Sequence, residues 1–162
     1  MMLLAIDPGP TESAYVILDE QLKPVKFDKI LNLQLLDDLD VDRHQHIADV
    51  QYCAIEMIAS YGMAVGKEIF DTCVWIGRFW ERANFDEIRY IYRIDEKMNL
   101  CQSMKARDSN VIQALVDRFA PGQPNHGKGT KRNPGWFYGF SKDIWQAYAV
   151  GVTFYDFYIK RR

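Results

Sequence analysis

Leu3–Leu18 reads LLAIDPGPTESAYVIL. An apolar run of strand length ends in a bare aspartate, Asp7, the chain turns at once through Pro8, Gly9 and Pro10, and β-branched and aromatic residues resume before Leu18. A carboxylate closing a buried strand carries a desolvation cost of several kcal/mol unless something compensates it, so Asp7 requires a partner, and a metal ion is one candidate. The same stretch sets the topology: two strands joined by so tight a connection are antiparallel neighbours.

Working outward, Val25–Leu31 reads as a third strand of this meander. Leu33–Leu39 and Ile47–Val50 suggest one or two helices among Asp37, Asp38, Asp40 and Asp42. Cys53–Ile58, CAIEMI, repeats the oddity of Asp7: an apolar run of strand length interrupted by one acid, Glu56. Val65–Arg82 places Ile69, Cys73, Ile76, Phe79 and Trp80 at three- and four-residue steps, which predicts an amphipathic helix. Ile88–Ile94 alternates as a strand does. Asp108 or Ser109 is placed to cap a helix through Val111, Leu115, Val116 and Phe119, ended by Pro121-Gly122, and Ser141 to cap a last helix from Lys142 to about Tyr158. Strands followed by alternating helices and strands predict an α/β fold with a mixed sheet, in one domain spanning residues 1–162.

The 162 residues are 48% hydrophobic, enough for a packed core. Cys53, Cys73 and Cys101 form no C-x-x-C pair, which argues against a disulfide framework or a zinc ribbon and suits a reducing cytoplasm. Neither a membrane span nor a secretion signal is legible. The formal net charge of −2 conceals segregation. From Ala120 to Lys142 there is no Asp or Glu, only Lys128, Lys131, Arg132 and Lys142, and this stretch holds five of the ten glycines and three of the six prolines. Glycines permit close backbone approach, so this loop is expected to contact phosphate. His44 and His46 read as surface residues, as does the terminal Lys160-Arg161-Arg162.

A third acid joins Asp7 and Glu56. On the last helix Asp143, Gln146, Ala147 and Val150 lie at i, i+3, i+4 and i+7, so acid, amide and two small apolar groups share the face turned to the sheet. Acids converging from separate elements repel each other, and a divalent cation with oxygen ligands removes the repulsion.

AIDPGPTESAYVIL, CAIEMIASYGMAVGKEIFDTCVWIGRF and SKDIWQAYAVGVTFYDF, in this order, resemble the three motif blocks of RuvC-type Holliday junction resolvases in the ribonuclease H-like superfamily. KARDSNVIQALVDRF resembles a fourth, and NPGWFYGFSKDIWQAYAVGV looks most like phage- or prophage-type relatives. The resemblance implies a ribonuclease H-like fold with a five-stranded mixed sheet, and a homodimer that nicks a four-way DNA junction symmetrically in a bacterial cytoplasm. It also implies a site of Asp7, Glu56 and Asp143 holding Mg²⁺ or Mn²⁺, with two ions per subunit. Where the family commonly has a second ligand-capable residue three positions after the first helix acid, this chain has Gln146, which offers a neutral oxygen at best. By the same resemblance Tyr61 and Met63 occupy a turn near the junction centre, and Lys97 and Arg107 fall near residues that touch the scissile phosphates. A branched-DNA binder that cuts poorly and a ribonuclease H-type enzyme are the rival readings.

Overall fold

The computed structural model describes residues 1–40, 47 and 49–160. His44, His46, Asp42, Arg161 and Arg162 therefore lie outside the described residues. The sheet has five strands in the order β3-β2-β1-β4-β5, where β1 is Leu3–Asp7, β2 Glu12–Leu18, β3 Pro24–Leu31, β4 Tyr52–Met57 and β5 Glu87–Tyr92. The first three form the antiparallel meander, and β4 and β5 run parallel to β1. The helices are α1 (Asn32–Asp38), α2 (Lys67–Arg82), α3 (Arg93–Cys101), α4 (Asp108–Phe119) and α5 (Lys142–Phe154), which runs on as a wider π-type turn, Tyr155–Ile159. The expected mixed α/β sheet flanked by helices is what forms. No helix among the described residues is long and apolar enough to cross a membrane.

Both faces of β1 are covered, so it reads as a continuous apolar run rather than an alternating one. Leu3 and Ala5 point to a core built with α4 and α5, whereas Leu4 and Ile6 point to one built with α1 and α2, where Ile76 and Phe79 are buried. Strand periodicity then fixes where the odd acids go. Asp7 is in phase with Leu3 and Ala5, and Glu56 with Tyr52 and Ala54, so both acids emerge on the α5 face. Helix α5 lies directly on the sheet: a Cβ at Gly151 would stand 2.7 Å from Leu18 Cδ1 and 3.1 Å from Ala5 Cβ, so only glycine permits this approach.

The structure corrects three expectations. The strand read to Ile94 ends at Tyr92, and Arg93–Cys101 is a helix the pattern does not announce. Its one deeply buried side chain is the charged Glu96, with Leu100 and Cys101 partly buried against the core; Asp95 accepts a hydrogen bond from the Tyr92 N–H at 3.2 Å and starts the helix. Helix α4 is capped at Arg107, whose N–H donates to Asn110 Oδ1 at 2.8 Å, and not at Asp108 or Ser109. Ser141 occupies the N-cap of α5, but its hydroxyl makes no capping hydrogen bond. The Ile47–Val50 reading runs through Ala48, which lies outside the described residues; the Val50 N–H donates to Ile47 O at 3.0 Å.

Trp145 and Tyr148 of α5 pack beneath the basic loop. Phe137 lies 4.5 Å from the Trp145 ring and 5.3 Å from Tyr148, and Phe27 meets Phe140 edge-on at 4.9 Å. The Tyr148 hydroxyl donates to Leu22 O at 2.9 Å and accepts from Trp136 Nε1 at 3.1 Å, so its buried oxygen is satisfied. Above them the loop is built around a two-residue turn: Thr130 and Asn133 exchange backbone hydrogen bonds at 3.0 and 3.1 Å, and exposed Lys131 and Arg132 form the tip.

Candidate active site

Asp7 and Glu56 sit side by side because β1 and β4 pair in parallel with Ile6 opposite Ile55, so the next residue of each strand meets its counterpart at the carboxyl ends of the strands. Their side chains share a hydrogen bond, and Asp143 acts on Asp7 from the first turn of α5. Burial, and then the Glu56 charge beside it, push the Asp7 carboxyl up to about 9. Burial likewise raises Glu56. Two carboxyls this close hold one proton between them, and the pair titrates as a unit.

Beside the pair lies a polar layer that was not singled out in the sequence. Arg93, the first residue of α3, is hydrogen-bonded to Glu96 and to Asp108, and its charge reaches Glu56 and Asp7. Glu96 is 0% exposed, its Oε1 has no hydrogen-bond partner, and burial followed by the Glu56 charge holds its carboxyl well above the usual range. Arg93 and Glu96 are an i, i+3 pair, a spacing too common on helix surfaces to have marked them.

On the other side of Asp7 opens a cleft of about 270 Å³, bordered by Gly9, Glu12, Lys29 and Asp143. The turn forming its wall is braced from below. Asn32 Nδ2 donates to Gly9 O at 2.9 Å, the Ser13 hydroxyl donates to Asn32 Oδ1 at 2.6 Å, and the Gly9 N–H donates to Ser13 Oγ at 3.2 Å. Gly9 is required here because a Cβ would stand 2.4 Å from Glu12 O. Ser13 and Asn32 are each 1% exposed. Replacing Asn32 by Ala orphans both partners, so we expect a loss of about 2 kcal/mol in denaturant unfolding and a lower turnover. An Asn32→Ala protein as stable as the parent would show the brace to be dispensable.

The remaining sequence-selected residues are distributed around this centre. Gln146 is 9% exposed and lies one turn beyond Asp143 on α5. Tyr61 and Met63 are 67% and 74% exposed in the turn after β4, which rules out a packing role within the chain. Arg107, Lys131, Arg132 and Lys142 are exposed, while Lys97 and Lys128 are half-buried.

Among the described residues no three His, Cys, Asp or Glu side chains stand together as ligands of one ion. The donor chemistry nevertheless fits a hard divalent cation: Asp7 and Glu56 converge, repel each other and hold a proton that such an ion would displace. Asp143 is turned to Lys29, whose Nζ stands 2.8 Å from its Oδ2.

No protein-family model matches this chain, and no curated protein matches it in sequence. Solved structures do match. The Thermus thermophilus RuvC structure is 12% identical over 96% of this chain and 95% of that one, with a TM-score of 0.63. The T. thermophilus RuvC in complex with a Holliday junction substrate is 12% identical over 96% and 94%, with a TM-score of 0.64. The chain has a RuvC-like, ribonuclease H-like fold.

Proposed function

We propose that this chain is a metal-dependent endonuclease that resolves four-way DNA junctions by paired phosphodiester nicks, of the phage or prophage type. The observation that carries the reading is the meeting of Asp7 and Glu56 at the carboxyl ends of adjacent parallel strands, with Asp143 across an open cleft, on a fold shared with a protein solved on a Holliday junction. Asp7 and Glu56 would hold Mg²⁺ or Mn²⁺, with Asp143 and the neutral oxygen of Gln146 facing a second position. A bound ion of this kind lowers the pKa of a coordinated water and offsets charge on the phosphate.

The chain's own residues perform the rest. Asp7 and Glu56 lose their shared proton on loading and become the charged floor of the site. The Gly9 turn keeps its backbone low, so that a phosphate reaches that floor without meeting a side chain. Lys131 and Arg132 at the loop tip, Lys128, Lys142, Lys97 and Arg107 supply phosphate contacts, and exposed Tyr61 and Met63 face the unpaired centre of the branch. A homodimer suits a two-fold substrate.

A second reading, a branched-DNA binder that cuts poorly, is favoured by one observation: Gln146 contributes no charge where the site is already short of it. Both readings are tested with an end-labelled four-way junction and Mg²⁺ or Mn²⁺. Paired, symmetry-related nicks support the resolvase, and cleavage confined to an RNA–DNA hybrid overturns it. Tight junction binding without nicks moves the function to the binder.

A further inference from the structure

The register places a lysine in the acid site. Asp7 pairs with Ala14 across β1 and β2, and Ala14 pairs with Lys29 across β2 and β3, so Lys29, Ala14 and Asp7 form one row on the α5 face. Successive strands are about 4.8 Å apart, so the Lys29 Cα lies roughly 10 Å from that of Asp7, and a lysine stem spans most of that gap. Ala14, with only a methyl group, leaves the path open. The Lys29 Nζ ends 2.8 Å from Asp143 Oδ2 and 3.9 Å from Glu12 Oε2, in the cleft and within reach of the Asp7 charge. Its side chain is 43% exposed, so a substrate phosphate can touch it.

We propose that the Lys29 ammonium is the second cation of this site, held by Asp143 where Gln146 leaves a second divalent ion without enough charge, and that it contacts the scissile phosphate. The inference rests on the nuclease reading above. A divalent ion entering beside Asp143 would meet a like charge already paired with that carboxylate, and would find a neutral amide one turn on. A fixed ammonium needs no further acid. In the reaction a water gives up a proton to solvent and its oxygen bonds to phosphorus as the P–O3′ bond breaks, and the departing electron pair stays on O3′, which takes up a proton from solvent. Hydrogen-bonded to a non-bridging oxygen, Lys29 offsets the charge that builds there during this exchange. One divalent ion, at Asp7 and Glu56, is then sufficient.

The test combines calorimetric titration of Mn²⁺ into the DNA-free protein with junction nicking by the full chain, for the parent, Lys29→Met, Lys29→Arg and Lys29→Met/Gln146→Asp. We expect one Mn²⁺ per chain in the parent and in Lys29→Met, with junction affinity kept and kcat reduced about 100-fold in the latter. Lys29→Arg should recover part of the rate. The double variant should bind two Mn²⁺ and regain turnover, with a rate rising as the square of Mn²⁺ concentration. Two ions in the parent, or Lys29→Met nicking at the parental rate, overturns the proposal. If the parent cuts no DNA, the nuclease reading fails on its own, and with it the phosphate contact; the ion count still decides whether the parent site holds a single divalent ion. Lys29→Met is on an exposed edge strand, and Lys29→Arg retains the charge should the methionine variant unfold.

Discussion

Replacing Asp7 by Asn is expected to lower junction nicking by ~10³-fold or more while making the metal-free protein more stable. The two effects have one origin. In the fold the Asp7 carboxyl is raised from 3.8 to about 9 by burial and by the Glu56 charge, whereas in the unfolded chain it returns to its ordinary value. Between those limits the native state binds a proton that the unfolded state does not, so the stability present below about pH 4 declines as pH rises towards 9. Asparagine needs no such proton, and its amide is able to donate to a Glu56 oxygen at every pH. We expect a gain on the order of 2 kcal/mol at pH 8, or roughly 5 °C in Tm, shrinking towards nothing at pH 4. Mg²⁺ should raise the Tm of the parent and leave that of Asp7→Asn unchanged. A variant less stable than the parent at pH 8 would mean that Asp7 is compensated within the chain and not held for a cation.

The second large effect is expected at Phe137. Its ring is fully buried against Phe140 at 5.2 Å, Trp145 at 4.5 Å and Tyr148 at 5.3 Å, and its N–H donates to Gly127 O at 3.0 Å. Phe137→Ala opens a cavity between α5 and the loop and should cost about 3–5 kcal/mol. That is a large part of the stability of an ordinary domain, and roughly 10 °C or more in Tm. The loss should be local as well as global. Lys131 and Arg132 sit at the tip of a loop whose anchor has gone, so trypsin should cut there faster than in the parent, and the affinity for branched DNA should fall. Unchanged proteolysis at the tip, alongside a lowered Tm, would show that the Thr130–Asn133 turn holds itself and that Phe137 serves the core alone.

Asp7 and Glu56 were legible because an acid within an apolar run violates the pattern around it, and Asp143 because helical spacing put it on the same face as Ala147 and Val150. The Arg93–Glu96 layer was hidden by the opposite circumstance: α3 is nine residues long and the side chain it buries deepest is charged, while Leu100 and Cys101 are only partly buried against the core. Glu96 faces Arg93 and the charge of Glu56, and hydropathy cannot signal that. Lys29 reads as one more solvated charge on an outer strand, because nothing within its own segment distinguishes it from Lys26.

The sequence by itself determined the order of the strands and of the helices other than α3, the mixed sheet, and the places of Asp7, Glu56 and Asp143 on their elements, since each of these is written in local periodicity or in a local breach of it. Only the tertiary structure decided what the acids face. The parallel register of β1 and β4 set Asp7 against Glu56, and the antiparallel register across Ala14 carried Lys29 into the same row. Register arises from the simultaneous packing of both sheet faces, and a one-residue slip would move every one of these side chains to the other side.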